Sequence, residues 1–259
     1  TNGVYNMKIA VISDIHGNMQ ALEAVLYDIN KENCEKIFCL GDLAMAGPQP
    51  CQTVDKIIEL NKKENFYLIA GNTDKMLASD EHEKIYQNLK NKNEIMANAY
   101  LDDLKLLKRH QIEFLKSLPI TMPLEFGGKK VLLCHGSPRR IDENIHPDLA
   151  IEEVEEITKD CDADIIFCGH THLPCGFQTN TGKTIANAGS VGRPFSLNPK
   201  SCYIVLEINE NNSSNNFTIQ HKMISYDVKK ASELLEKRKF SGANKLAKML
   251  ISATSRYPI

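Results

Sequence analysis

Residues 8–18 read KIAVISDIHGN, and this stretch predicts the first unit of an α/β fold. Its first half is a short, continuous apolar run, which predicts a strand buried on both faces, as in the interior of a parallel sheet. Asp14 and His16 follow directly where that strand ends. Beyond them, apolar residues recur at helical spacing, at Leu22, Val25, Leu26 and Ile29. The stretch therefore begins a strand–loop–helix unit with two chemically active side chains in its loop.

The same unit recurs along the next 50 or so residues. Residues 36–40 and 66–70 are apolar runs of strand length, and Pro50 stands where a helix between them could begin. Strands that alternate with helices at this spacing predict parallel pairing through right-handed crossovers. Asp42 and Asn72 follow the second and third strands, at the edge where open α/β sheets place their ligands.

The middle of the chain interrupts this rhythm. Residues 75–118 are polar with a helical pattern, and we interpret them as an inserted helical cap, since about 40 residues seldom hold a core alone. Residues 120–126 and 129–134 flank Gly127-Gly128 and predict a β-hairpin. We expect one mixed α/β domain over residues 1–259.

The C-terminal third is mostly antiparallel in character. Strands are predicted at 164–168, 201–208 and 217–225, and the polar segment 209–216 predicts a mobile loop between the last two. A helical, lysine-rich segment is predicted at about 228–254.

Composition restricts the class of protein. The 31 basic and 33 acidic residues nearly balance, so no overall field indicates a nucleic-acid or membrane surface. No apolar run approaches the ~18–20 residues of a membrane span. We expect a natural start at Met7 without a secretion signal. The eight cysteines form no Cys-x-x-Cys pair and predict reduced thiols. These features predict a cytoplasmic protein and leave homo-oligomerisation open.

Seven residues in five short motifs have side chains that bind metals: Asp14, His16, Asp42, Asn72, His135, His170 and His172. All are oxygen or imidazole donors, which favours manganese, iron, zinc or nickel over an all-sulfur zinc site. Seven ligands exceed the needs of one tetrahedral ion and match two ions that share a carboxylate. Each motif alone is explained as well by a polar loop or turn, and alternation would place His170 and His172 on the same side of a strand. Together they predict a dinuclear metal centre.

The order and flanks of these motifs resemble the calcineurin-like metallophosphoesterase superfamily, and most closely its compact bacterial and archaeal phosphodiesterase and phosphatase branch. The resemblance is carried by residues 13–26, by 39–50 and by 187–194, and it spans about residues 8–206. It implies an α/β fold of four layers (αββα), in which two mixed sheets lie face to face between helices.

The resemblance also implies how the ligands are divided. The first ion takes Asp14, His16 and His172, the second takes Asn72, His135 and His170, and Asp42 bridges both. A hydroxide bridging the ions is the implied nucleophile, so Asp42, Asn72 and His135 are the implied catalytic residues. Manganese is the first metal expected, with iron, zinc and nickel as alternatives.

Five further residues are candidates for substrate binding: Asn18, Thr73, Arg139, Asn187 and Arg193. The arginines can grip phosphate through their planar guanidinium groups, or they can be solvated surface residues. Asn18 can instead cap the first helix. Many members of the superfamily have a histidine in place of Thr73, as the proposed acid for the leaving group, and a hydroxyl cannot supply that proton near neutral pH.

The sequence therefore predicts a metal-dependent phosphoric ester hydrolase that cleaves phosphodiesters, with phosphomonoesters and nucleotide polyphosphates as further substrates. Neighbouring families act on cyclic nucleotides, dinucleoside polyphosphates or phosphoproteins. A serine/threonine-type protein phosphatase and a dinucleoside polyphosphate hydrolase are therefore alternatives within the class. A non-catalytic metal-binding interaction module is an alternative from another class. The expected partner is a small phosphoester or a phosphoprotein.

Overall fold

The computed structural model describes residues 6–209 and 217–255, so residues 210–216 of the predicted mobile loop lie outside the described residues. Within these ranges the elements follow in this order: β1 (Asn6–Ile12), α1 (Met19–Lys31), β2 (Lys36–Cys39), α2 (Pro50–Leu60), β3 (Phe66–Leu68), α3 (Asn72–Leu77), α4 (His82–Lys92), α5 (Glu94–Leu106), α6 (Arg109–Ser117), β4 (Thr121–Phe126), β5 (Lys129–Cys134), α7 (Ile151–Thr158), β6 (Ile165–Cys168), β7 (Cys175–Gln178), β8 (Thr184–Asn187), β9 (Ser201–Asn209), β10 (Phe217–Ile224), α8 (Val228–Glu236) and α9 (Ala243–Ser252).

The described strands form two mixed five-stranded sheets, as predicted. The first sheet has the order β10-β9-β1-β2-β3, and the second has the order β4-β5-β6-β8-β7. Strands β1, β2 and β3 pair in parallel, and so do β5, β6 and β8. The remaining strands pair antiparallel with their neighbours. The parallel strands of each sheet therefore end at one edge, where their loops can meet.

Alternation along the strands produces the layers. In β1, Ile9 and Val11 point between the sheets and join an apolar cluster with Phe167 of the second sheet. Ala10 and Ile12 point the other way, into the cluster beneath α1 and α2. A third cluster lies between the second sheet and α7. Three apolar interfaces separate four layers, which confirms the predicted αββα sandwich.

Residues 72–117 contain the four helices α3 to α6. Tyr100 of α5 and Leu115 of α6 are fully buried in the cluster that also contains the apolar side of α2. This region therefore shares its core with the helices of the first sheet. Its assignment as an insertion within a single domain stays a prediction.

The predicted C-terminal helical segment consists of two helices, α8 and α9, which pack against each other. The chain turns at Gly242, which has a φ of +97° and caps the N-terminus of α9. A Cβ at this position would lie 2.6 Å from Cγ2 of Ile95. Glycine is required here both by the left-handed backbone and by the close contact with α5.

No helix in the described ranges is long and apolar enough to cross a membrane. All eight cysteines lie within these ranges as free thiols, and four are buried: Cys39, Cys134, Cys168 and Cys202. Burial raises the pKa of Cys39 to about 12, so this thiol is a small apolar side chain rather than a nucleophile.

Candidate metal centre

Six of the seven predicted ligands lie on loops that follow strands, and the seventh, Asn72, begins α3 directly after such a loop. Three loops leave the first sheet after β1, β2 and β3, and two leave the second sheet after β5 and β6. In chain order they carry Asp14 and His16, then Asp42, Asn72, His135, and finally His170 and His172. The site therefore lies where the carboxyl edges of both sheets meet.

The ligand loops have an unusual backbone. Five of the seven predicted ligands have a positive φ, between 47° and 67°: Asp14, His16, Asp42, His170 and His172. Left-handed conformations are uncommon for residues with a side chain and cost of order 1–3 kcal/mol each. Contacts between loops hold them in place, because the Asp14 N–H donates to Gly41 O at 3.1 Å and the His16 N–H donates to Asp42 O at 2.9 Å.

The glycines before Asp42 and Asn72 are required by lack of space. A Cβ on Gly41 would lie 2.0 Å from the backbone nitrogen of Gly71, and a Cβ on Gly71 would lie 2.0 Å from Asp42 Oδ1. The loops after β2 and β3 therefore approach each other too closely to leave room for a Cβ at either glycine. This contact explains why each of these two ligands has a glycine directly before it.

Asp14, His16 and His172 form one group, which we name the buried half of the centre. His172 Nε2 lies 3.2 Å from Asp14 Oδ1, and His16 Nε2 lies 3.6 Å from the same oxygen. The two Nε2 atoms are 3.1 Å apart. Each of the three residues is at most 5% exposed. Phe195 covers one face of His172, with ring centroids 4.3 Å apart.

The backbone determines which ring nitrogen of these histidines faces the centre. His16 Nδ1 donates to Met45 O at 3.0 Å, and His172 Nδ1 donates to Arg193 O at 2.6 Å. A carbonyl oxygen can only accept, so each neutral ring carries its hydrogen on Nδ1 and a lone pair on Nε2. Two lone pairs at this separation repel each other unless a cation lies between them. Metal-binding histidines have this arrangement.

Asp42, Asn72, His135 and His170 form the other group, which we name the open half. His135 Nε2 lies 3.4 Å from Asp42 Oδ2 and 3.1 Å from Asn72 Oδ1. His135 Nδ1 donates to Leu40 O at 2.7 Å. The His170 ring centroid is 5.3 Å from that of His135. Asn72 and His170 are partly exposed, whereas Asp42 and His135 are buried.

One oxygen of each carboxylate faces both halves. Asp42 Oδ2 lies 3.5 Å from His16 Nε2 and 3.4 Å from His135 Nε2. Asp14 Oδ1 lies 3.2 Å from His172 Nε2 and 3.9 Å from His135 Nε2. The centre is therefore continuous, with carboxylate oxygens between imidazole nitrogens of the two groups.

The other oxygen of each carboxylate is held by hydrogen bonds. The Thr73 N–H donates to Asp42 Oδ1 at 2.9 Å. The Ser13 hydroxyl and the His170 N–H donate to Asp14 Oδ2 at 2.6 Å and 3.0 Å. These contacts fix the direction of both carboxylates, so the remaining oxygens stay aimed at the imidazoles.

The charged groups shift one another's pKa. Burial opposes the charged form of Asp14, but His172 and His135 hold its pKa well below its usual range. Burial opposes ionisation of Asp42 as well, but His135 lowers its pKa to about 2. Burial also disfavours a charged His135, but Asp42 and Asp14 raise its pKa to about 10. Burial lowers the pKa of His172 and of His170. Of these three histidines, His135 in the open half is therefore the one whose charged form is favoured.

The arrangement fits divalent cations. In the described part of the chain, two sets of three ligand atoms lie within 4.8 Å of one another: Asp14, His16 and His172 form one, and Asp14, Asp42 and His135 form the other. Asp14 Oδ1 is buried and accepts no hydrogen bond within these residues. A buried carboxylate oxygen is stabilised by a cation when no hydrogen-bond donor reaches it. The oxygen and imidazole donors suit manganese, iron, zinc or nickel.

His170 and His172 do not lie in a strand, so the alternation that would place them on one side does not apply. Strand β6 ends at Cys168, and both histidines have a left-handed backbone, with φ of 67° and 61°. Because the chain bends between them, His170 lies beside the open half and His172 lies in the buried half.

Asn18 and Asn187 brace the loops around the centre. Asn18 Oδ1 accepts from the Ala21 N–H at 3.2 Å, which caps α1, and its Nδ2 donates to Gly192 O at 2.8 Å. Asn187 Nδ2 donates to Gly169 O at 2.7 Å in the loop after β6. Both amides contact protein groups that position ligand loops, and their role in substrate binding stays a prediction.

The other three candidates have different surroundings. The Thr73 hydroxyl donates to Ala44 O at 3.2 Å and is nearly buried. Arg193 is buried rather than solvated, and its guanidinium lies 5.4 Å from the centre of the Phe195 ring. Arg139 is largely exposed and forms an ion pair of 2.7 Å with a glutamate four residues along the chain. Of the two arginines, Arg193 is the one joined to a predicted ligand, through its carbonyl oxygen.

Asp74 supports the site although the sequence analysis gave it no role. Its Oδ2 accepts from the N–H groups of Asp42 at 2.8 Å and Gly71 at 2.9 Å, and its Oδ1 accepts from the Leu43 N–H at 2.9 Å. Burial and the neighbouring Asp42 raise the pKa of Asp74 to about 7. The available signal was an acidic residue at the third position of a helix that begins at Asn72.

Comparisons with known proteins agree with this fold. The family described as the calcineurin-like phosphoesterase superfamily domain matches residues 7–211. An uncharacterized protein of Methanocaldococcus jannaschii is 33% identical over 247 residues, which cover 89% of this chain and 93% of that protein.

Two solved structures have a similar fold. A hypothetical protein from Pyrococcus horikoshii is 24% identical with a TM-score of 0.82, and the match covers 94% of this chain and 97% of that one. A metallophosphoesterase from Sphaerobacter thermophilus is 23% identical with a TM-score of 0.73, and the match covers 96% of this chain and 100% of that one. At these identities the similarity concerns the fold.

Proposed function

Because this chain belongs to the calcineurin-like phosphoesterase superfamily, we propose that it is a hydrolase that cleaves phosphodiesters with the help of two divalent cations. Each half of the centre would hold one cation, and manganese is the first candidate among the metals that these donors suit. The proposed substrate is a small phosphodiester, with phosphomonoesters and nucleotide polyphosphates as further candidates. A cytoplasmic location stays a prediction.

The observation that carries the proposal is the position of Asp42 Oδ2. This oxygen lies 3.5 Å from His16 Nε2 in the buried half and 3.4 Å from His135 Nε2 in the open half. A single carboxylate that reaches both groups is what two closely spaced cations require. Asp14 Oδ1, which accepts no hydrogen bond within the described residues, is a second anionic atom available to them.

Bound divalent cations supply Lewis acidity toward phosphoryl oxygens and make water a competent nucleophile near neutral pH. The residues of the chain would hold these cations and orient the substrate. His16 and His172 present Nε2 lone pairs because their Nδ1 hydrogens are bound to backbone carbonyls. Asn72 turns its Oδ1 toward His135, so its amide N–H groups are the donors for a phosphoryl oxygen. Asn72 and His170 are the partly exposed ligands and would border the bound substrate.

The leaving group limits the choice of substrate. The Thr73 hydroxyl donates to Ala44 O at 3.2 Å, and a hydroxyl is a poor acid near neutral pH. We therefore expect the preferred substrates to have leaving groups that depart without a proton from this position, such as aryl oxides or the phosphates of anhydrides.

The test uses the whole chain, stripped of metal with a chelator and then supplied with manganese, iron, zinc or nickel in turn. We expect about two equivalents of bound metal and hydrolysis of bis(p-nitrophenyl) phosphate, with manganese the most effective. Lys56→Ala is the control, because it removes only a surface ion pair with Glu59 and should match the parent.

Two bound metals without turnover of diesters, monoesters or polyphosphates would favour the interaction module. Less than one equivalent of tightly bound metal would contradict the metal centre itself.

A further inference from the structure

A strained loop lies directly behind His16. Met45 and Ala46 have left-handed backbones, with φ of 82° and 64°, and both are buried. The Met45 carbonyl accepts the hydrogen bond from His16 Nδ1 at 3.0 Å. The direction of the His16 ring therefore depends on a backbone conformation that side-chain-bearing residues rarely adopt. Other groups must hold this loop in place.

Asp103 of α5 holds one side of the loop. Its Oδ2 accepts from the Met45 N–H at 2.7 Å. The N–H of the residue whose carbonyl orients His16 is thus fixed by a fully buried carboxylate. Asp103 lies 58 residues further along the chain, so this contact links the helical region to the metal centre.

Arg238 holds the other side. It follows α8, and its side chain is 6% exposed. Its Nη1 donates to Gly47 O at 2.7 Å and lies 2.6 Å from Asp103 Oδ1. Its Nε and Nη2 donate to Asp102 Oδ2 at 3.0 Å and 2.6 Å. One guanidinium therefore contacts the loop directly at Gly47 and orients the carboxylate that holds Met45.

We propose that Arg238 and Asp103 form a clamp that positions His16 for metal binding. The inference rests on the proposed function, since it assigns a metal to His16. Arg238 lies outside residues 7–211, the part of the chain that matches the family. The C-terminal helices thereby take part in building the metal centre. Arg238 and Asp103 are positioning residues that act through Met45 and the loop around it, without contact to the metal or substrate.

The geometry requires arginine. One planar guanidinium donates hydrogen bonds to Gly47 O and Asp102 Oδ2 and forms an ion pair with Asp103. A lysine has only a single ammonium group to offer these three groups. Lysine at this position keeps the charge but cannot reach all three acceptors at once. Arg238→Lys should therefore retain the fold and weaken the clamp, and Arg238→Met should remove it.

The experiment measures manganese affinity by calorimetry on the stripped, full-length protein. Removing a group that orients a metal ligand costs about 10–100-fold in affinity. Because Arg238 acts through an intervening loop, we expect Arg238→Met and Asp103→Asn to weaken one of two manganese sites by about tenfold, and Arg238→Lys to weaken it less. The control is Lys222→Met, which removes a partly buried ion pair with Glu32. It should leave both affinities unchanged.

A double-mutant cycle separates positioning from general destabilisation. In a His16→Ala background, Arg238→Met should cause no further loss of manganese affinity, because the residue through which it acts is gone. An additional tenfold loss in that background would overturn the inference, and so would affinities within twofold of the parent for both Arg238 variants. If Arg238→Met fails to fold, Arg238→Lys and Asp103→Asn still decide the question. A parent that binds no manganese would contradict the proposed function instead.

Discussion

The two halves of the candidate metal centre differ in how they are enclosed. In the buried half, Asp14, His16 and His172 are shielded from solvent, and both histidines are fixed through Nδ1 by carbonyls of separate loops. In the open half, Asn72 and His170 are partly exposed. A cation in the buried half would be enclosed by its ligands, whereas a cation in the open half would lie beside solvent.

This difference indicates a division of labour. The more enclosed ligands suit a cation that stays bound through many turnovers. The more exposed ligands suit a cation that exchanges water for a phosphoryl oxygen. The two carboxylates between the halves keep the tasks connected, because Asp42 Oδ2 is 3.5 Å from His16 Nε2 and 3.4 Å from His135 Nε2.

Asp42→Ala should have the largest effect, because it removes the carboxylate that joins the halves. Lewis-acid stabilisation is worth several kcal/mol, and each 1.36 kcal/mol is tenfold in rate, so turnover should fall by about 10³-fold or more. Occupancy of both metals should fall with it. Metal analysis and steady-state kinetics on the same preparation check this. Near-parental turnover with two metals bound would contradict a bridging role for Asp42.

His16→Ala and His170→Ala should lower manganese affinity at different halves of the centre. We expect His16→Ala to lower the affinity for the tightly held manganese by about 10²-fold, since it removes one of three enclosed ligands. His170→Ala should mainly affect the weaker site and raise the KM for a diester, because His170 is partly exposed. Calorimetry and kinetics on both variants provide the comparison. Equal losses at both sites in both variants would show that the halves do not act separately.

The pH dependence of metal binding should sharpen the same contrast. Burial disfavours a charged His135, but Asp42 and Asp14 raise its pKa to about 10, so at pH 7 this ring holds a proton that a metal must displace. Burial lowers the pKa of His172, so the buried half has no such proton to lose at this ring. Affinity at the open half should therefore rise by up to about tenfold per pH unit from pH 7 toward 10.

The raised pKa of His135 also makes the stability of the metal-free protein depend on pH. The pKa of His135 is raised above the value of about 6.5 for an unfolded histidine, so its stabilising contribution is complete below pH 6.5 and is lost as pH rises through about 10.

Calorimetry with manganese in buffers of different ionisation enthalpy, between pH 6.5 and 8.5, counts the proton that His135 releases when the metal binds. Affinity that does not change with pH at either site would contradict a protonated His135.

The sequence allowed the sheets and the positions of the ligands to be predicted, because both depend on local pattern. The apolar run before Asp14 predicted β1, and Gly127-Gly128 predicted the hairpin between β4 and β5. Strand ends converge at one edge by geometry, so finding donors after each strand was sufficient to predict that they meet.

The conformation of the ligand loops had no local signal. The left-handed backbone of Asp14 is maintained by contacts with distant segments, such as the Gly192 N–H that donates to Asp14 O at 3.0 Å. The left-handed backbones of His170 and His172 had no local signal either. The contact of Arg238 with Asp103 joins residues 135 positions apart in two helical regions, and neither residue type nor spacing distinguishes it from a surface ion pair.

Thr73, whose N–H donates to Asp42 Oδ1 in the open half, should have a smaller effect than the ligands. Its hydroxyl donates to Ala44 O at 3.2 Å, so a departing alkoxide receives no proton from this position. The rate should depend steeply on leaving-group pKa, and aryl diesters should be cleaved much faster than alkyl diesters.

A well-placed general acid is worth roughly 10²–10⁴-fold. Thr73 is nearly buried, so the imidazole of Thr73→His has little room, and we expect a gain of at most about tenfold, confined to alkyl esters. A series of aryl and alkyl diesters assayed on both proteins measures the slope. If the parent shows a flat dependence while bond cleavage limits the rate, another group protonates the leaving oxygen.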